Sequence, residues 1–192
     1  MPVALGVVIL SAIARMSVCA ENLPAGQVDF GKFSPPGAGG EFVEINLSSS
    51  LITLASRLVG KDEPEVAQLL NGLQLVRVTV IGLDDDNRAE MQARALRIRK
   101  ELDGKGWERI VTAQKEGQDV GVYLKTRNKD TVEGLAVVVM EGERQAVFIN
   151  IVGEIKPEQL AMLGEKLHID PLKKAFRATE KEKAEKPEKA DK

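Results

Sequence analysis

Residues 133–155 read EGLAVVVMEGERQAVFINIVGEI, and this stretch decides the fold. Residues 135–140 are apolar without a break, Glu141-Gly142-Glu143-Arg144 offers a turn, and residues 146–152 are apolar again except at Asn150. Two strand-length runs rich in Val and Ile, joined by a short Gly-containing loop, read as a β-hairpin. Apolar side chains at nearly every position, instead of at alternate ones, require that both faces be covered. Full burial of the two runs is worth roughly 15–30 kcal/mol. Ordering their backbone costs about 1–2 kcal/mol per residue, so burial of one face alone would barely balance. The hairpin is expected at the core. Asn150 is then expected as a buried amide bonded to neighbouring backbone or to the N-terminal arm, because an unpaired amide there costs about 1–3 kcal/mol.

Upstream, residues 107–114 and 120–127 read as strands around Lys115-Glu116-Gly117-Gln118. The loop sets a register in which Glu108 faces Lys125 and Ile110 faces Tyr123. Pleat parity then puts Trp107, Val111, Val122 and Leu124 on the core side and Thr112, Tyr123 and Lys125 on the other. An outward tyrosine among basic groups suits base stacking, but no ribonucleoprotein motif accompanies it. Before these strands, Met91, Ala95, Ile98 and Leu102 recur at i, i+4, i+7 and i+11, the single stripe of a helix over about residues 85–102. Glu90 with Arg94 and Arg97 with Glu101 are i,i+4 ion pairs. They make Arg88, Arg94, Arg97, Arg99 and Lys100 a solvated surface in preference to a phosphate-binding one. Asp84-Asp85-Asp86-Asn87 lacks the frame of a calcium loop and reads as an N-cap at the positive end of the helix dipole.

Residues 73–81 (LQLVRVTVI) form a strand with Val76, Val78 and Val80 on one face and Arg77 and Thr79 on the other. Pro64 opens a short helix carrying Val66, Leu69 and Leu70 and ending at Asn71-Gly72. Before it, Leu51, Leu54, Ala55 and Leu58 have the spacing of a buried helix face, with the hydroxyls of Ser48, Ser49 and Ser50 placed to cap that helix. Residues 41–47 alternate as a first strand. Residues 21–40 are rich in Gly and Pro, an arm; its Val28, Phe30 and Phe33 imply that it packs on the domain. Past the hairpin, Pro157 begins a last helix with Leu160, Leu163 and Leu167 inward, and Pro171 starts a short turn through Phe176. Residues 178–192 form a charged Lys/Glu tail.

Residues 2–14 are apolar and too short to span a bilayer, which suits a secretory signal over residues 1–20. Small residues at Val18 and Ala20 offer cleavage before Glu21; lipidation of Cys19, or an uncleaved anchor, are the alternatives. Cys19 is the only cysteine, which excludes an intramolecular disulfide and a Cys-ligated metal site. Hydrophobic residues make up 43% and charged residues 29%, a composition that excludes wholesale disorder. With 27 basic and 29 acidic residues the net charge is −2, so no global field draws the chain to nucleic acid.

Four phrases carry a resemblance: QVDFGKF in the arm, EFVEINLSSSLITLAS at the first strand and helix, LQLVRVTVIG, and VFINIVGEIKPEQLAML. Together they resemble a bacterial envelope family catalogued as domain of unknown function 4252, over roughly residues 22–172. The resemblance implies an exported bacterial protein of α+β fold, lipidated or released, and transfers no catalytic residues. Lys156 departs from the capping side chain expected before Pro157.

The expected architecture is a single α+β domain over residues 41–177. It has about six mostly antiparallel strands in the order β-α-α-β-α-β-β-β-β-α, helices mainly on one face, and room for one parallel pairing after the long helix. The expected function is a non-catalytic protein-interaction module of the periplasm or cell envelope. Its partner would be an unknown envelope protein or a second copy, with no nucleic acid and no cofactor. The alternatives are a carrier of a small apolar ligand, or a hydrolytic enzyme drawing on Ser48, Ser49, Ser50, Asp84, Asp85, Asp86 and His168. No G-x-S-x-G, G-x-G-x-x-G or Walker pattern supports the last. No catalytic, cofactor-binding or metal-ligating residue is assigned.

Overall fold

A computed structural model describes residues 23–156 apart from 38, 116, 129 and 130, together with Gln159 and Met162. The expected signal over residues 1–20, Cys19, the helix from Pro157, His168, the turn from Pro171 and the tail lie outside the described residues. The elements run β1 (Phe42–Ser48), α1 (Ser49–Val59), α2 (Pro64–Gly72), β2 (Leu73–Gly82), α3 (Arg88–Gly104), β3 (Glu108–Lys115), β4 (Gln118–Asn128), β5 (Thr131–Glu141) and β6 (Gln145–Ile155). One six-stranded sheet has the spatial order β1-β2-β6-β5-β4-β3, and every pairing in it is antiparallel. The parallel pairing allowed by the length of α3 does not occur. The helix carries the chain past three strands to the far edge, so β2 and β3 never meet.

The β5–β6 hairpin is at the centre of this sheet and both of its faces are covered. Leu135, Val137, Ile149 and Ile151 point to one side, into a cluster with Ile52 of α1 and Leu69 of α2, against which Met162 also packs. Ala136, Val138, Ala146 and Phe148 point to the other, onto Met91, Ala95, Ile98 and Leu102 of α3 and onto Val28 and Phe30 of the arm. Two of the three described helices thus share one face, and the longest takes the other.

Three local expectations are corrected. First, α1 turns its other face inward: Ile52 and Ser56 are buried, Ala55 is half-buried, and Leu51, Leu54 and Leu58 are 50%, 54% and 72% exposed. Ser56 fixes this rotation, donating to Asn71 Oδ1 of α2 at 2.7 Å. Second, the expected β3–β4 register holds from Lys115–Gln118 to Val111–Val122 and then slips. Arg109 pairs with Tyr123 and Glu108 with Leu124, because a bulge at Ile110 absorbs one residue. Trp107 therefore joins the α3 face, where Tyr123 is also fully buried and not outward. Third, Ser48 stands at the N-cap of α1 without a side-chain capping bond. Asp84, by contrast, does cap the turn that leads into α3: its carbonyl accepts from Arg88 N–H at 3.1 Å and its own N–H donates back to Asn87 Oδ1 at 3.0 Å. The Asp84 Oδ1 accepts from the N–H of Asp86 at 3.0 Å and of Asn87 at 2.8 Å, and α3 begins only at Arg88.

Candidate functional site

The arm is built onto the α3 face by contacts from three elements. Asn150, fully buried in the middle of β6, accepts from Val28 N–H at 2.9 Å and donates through Nδ2 to Gly26 O at 3.0 Å and Leu135 O at 3.2 Å. Both partners expected for this amide, neighbouring backbone and the arm, are present. From α3, Arg94 donates to Lys32 O at 2.6 Å, holds Glu90 at 2.7 Å, and lies 4.6 Å from the centre of the Phe33 ring. Phe30 and Phe33 stack on Phe148, with ring centres 5.7 and 5.0 Å apart. Gly26 and Gly134 let the two backbones touch: a Cβ on Gly134 would come within 2.5 Å of Gly26 Cα and 2.7 Å of the Trp107 ring.

The arm stops short of the sheet's β1 margin and leaves a groove of about 570 Å³ beside it. Leu75, Arg77 and Thr79 of β2 and Glu44, Asn46 and Ser48 of β1 line its floor, and Phe30 to Phe33 form its wall. Pleat parity puts these strand residues on one face, with Asn46 opposite Arg77 and Glu44 opposite Thr79. The Arg77 side chain makes no hydrogen bond or ion pair among the described residues, and its Nε is sealed from solvent. A buried donor left so costs about 1–3 kcal/mol. Glu44 turns to Asn46, whose Nδ2 donates to Oε1 at 2.9 Å.

On the opposite face, the same margin is apolar and open. Val43, Ile45 and Leu47 alternate there over Val80, Val78 and Val76. Val43 and Ile45 are 40% and 41% exposed, and the Leu51, Leu54 and Leu58 stripe of α1 follows directly in the chain. β1 is also an edge strand, with neighbours on one side only.

The residues weighed for chemistry are dispersed or occupied. Ser48 lines the groove while Asp84 sits in its turn before α3. Arg99 pairs with Asp119 of β4 and reaches Val138 O at 3.4 Å, so it ties α3 to the sheet and is only partly solvated. Tyr123 lies under the Arg109 guanidinium, 5.1 Å from the ring centre, and burial pushes its hydroxyl pKa up. Lys125 donates to Lys105 O at 2.6 Å and Gly106 O at 3.2 Å, closing the C-terminal end of α3. In the sequence Arg77 reads only as a residue on the strand face opposite Val76, Val78 and Val80. The signal available was a cation in a Val-rich strand with no acidic neighbour in that strand.

Fold and site define a class: an open antiparallel sheet with a crossing helix and an N-terminal arm clamped by a buried asparagine. The chain belongs to the family described as Domain of unknown function (DUF4252), whose profile matches residues 39–163. No curated protein and no solved structure matches the chain. Among the described residues no helix is long and apolar enough to cross a membrane.

Proposed function

We propose that this chain is an exported, non-catalytic contact module of the bacterial envelope that joins copies of itself through β1 and α1. The observation that carries the reading is the exposed leucine stripe of α1 beside an edge strand that itself exposes Val43 and Ile45. An open edge is a template for a further strand, and a two-fold dimer requires a self-complementary one. β1 meets that condition. Antiparallel pairing of two copies centred on Ile45 sets Val43 opposite Leu47 and Glu44 opposite Asn46, the same two side chains that already bond within the strand. No acid meets an acid. The apolar run at residues 2–14, followed by Val18 and Ala20, supports export.

Light scattering on size-exclusion fractions of the full chain tests the assembly. The wild type is expected as a dimer, and Ile45→Lys and Leu58→Glu as monomers with unchanged melting. A wild type that stays monomeric as concentration is raised removes the self-association reading. Export is tested by fractionating cells that express the full chain and sequencing the product's N-terminus, expected at Glu21. An unprocessed product confined to the cytoplasm removes it.

A further inference from the structure

The groove lies on the face of β1 and β2 opposite Val43, Ile45 and the α1 stripe, borders the β1 seam at Glu44 and Asn46, and has its own chemistry. Three charged side chains line it: Lys32, Glu44 and Arg77. Glu44 has Asn46 as its hydrogen-bond partner and pairs with neither cation. Arg77 extends from the middle of β2, with its Nε shielded and no partner among the described residues. Guanidinium is a planar fork of donors that matches a carboxylate in two parallel bonds. Held in a partly desolvated place, with the one acid of the groove turned to Asn46, it is a preformed seat for an anion. Next to it, Phe30, Phe33 and Leu75 supply an apolar wall, and the volume falls in the range of small-molecule sites.

We propose that this groove binds a small amphiphile with a single carboxylate, the head group on Arg77 and Lys32 and the apolar body along Phe30, Phe33 and Leu75. Phe30 is buried against Phe148, and the half-buried Phe33 turns part of its ring to Phe148 and leaves the rest as a wall. Thr79, two residues from Arg77 on the same face of β2, gives a hydroxyl at the floor beside it. Arg94, the other arginine near the arm, is unavailable for the role because Glu90 and the arm carbonyls already occupy it.

Calorimetric titration of the full chain with decanoate below its micellar range tests the proposal, beside acetate and decyltrimethylammonium. Decanoate is expected to bind one to one, acetate at least tenfold more weakly, and the cationic amphiphile at least tenfold more weakly. Arg77→Met is expected to weaken decanoate at least tenfold. Lys32→Glu, on an exposed arm position that leaves the fold intact, is expected to weaken it several-fold, so the test survives if the β2 variant fails to fold. Amide shifts on binding should centre on residues 30–33 and 75–79. Ile45→Lys should bind decanoate as the wild type does, which separates this site from the dimer surface. The proposal is overturned if decanoate does not bind, if the cationic amphiphile binds equally well, or if Lys32→Glu leaves affinity unchanged.

Discussion

Val28 and Asn150, 122 residues apart, are joined by a 2.9 Å hydrogen bond from the Val28 N–H to the Asn150 Oδ1. The same amide serves Gly26 and Leu135 through its nitrogen, so one fully buried side chain satisfies three backbone groups. Asn150→Ala leaves those groups unpaired. At about 1–3 kcal/mol for a buried unsatisfied group, a loss of about 2–4 kcal/mol is expected in urea denaturation, with faster amide exchange at Val28. Asn150→Asp keeps the acceptor but has no N–H to donate, so it should also destabilise. Wild-type stability in Asn150→Ala would contradict the clamp.

Gly134→Ala tests the second attachment of the arm. The added methyl must displace Gly26 backbone or the Trp107 ring, both closer than 3 Å. Overpacking of this kind costs about 1–3 kcal/mol, and the fluorescence of Trp107, the only tryptophan, should shift to the red. Gly37→Ala, where nothing lies within 4 Å, is the control and should melt as the wild type does.

The two faces of α1 make opposite predictions. Ile52→Ala removes a side chain that is 1% exposed and should cost about 2–4 kcal/mol. Leu58→Ala removes one in solvent and should stay within about 0.5 kcal/mol of wild type, measured where the protein is monomeric. Equal losses at both positions would return α1 to the orientation read from its leucines.

Tyr123 is the only tyrosine, so ultraviolet titration reports it alone. Burial raises its pKa above the ordinary 10.0, with Asp103 adding to the rise and the guanidinium groups of Arg109 and Arg99 opposing it. A raised folded pKa means that the native state holds the proton longer than the unfolded chain does. The contribution of the neutral phenol is complete below the unfolded value and is lost as pH climbs through the folded one. The expected outcome is a tyrosinate midpoint above 10.0 and a fall in stability through that range. Tyr123→Phe should flatten that alkaline dependence. Its hydroxyl has no partner among the described residues, so the substitution should cost little at neutral pH.

Much of the sheet was legible because its signals are local. Continuous apolar runs named the central hairpin, and an amide between two isoleucines had to be bonded to something. The stripe from Met91 to Leu102 could face only one way. α1 was ambiguous for a physical reason: Ile52, Ala55, Ser56 and Val59 also recur at helical spacing, and the richer apolar stripe is the one left outside. What decides is the Ser56–Asn71 bond, a tertiary fact. The bulge at Ile110 has no local signature, yet it moves Trp107 across the sheet. The groove joins arm residues to β2 residues more than forty positions away, and it depends on an arginine side chain that has no partner among the described residues. No sequence window contains that.

The spatial order of the strands has a consequence for how the molecule comes into being. β6, the last described strand, lies between β2 and β5. Before it emerges, the β1–β2 pair and the β3–β4–β5 meander are two ribbons connected only by a helix, each with a raw edge where its neighbour belongs. Joining them demands pairings across some seventy residues, the kind of closure that is slow to form. Inserting the keystone strand must therefore wait until residues 145–155 have been made, and until then neither ribbon has the neighbour that closes its edge.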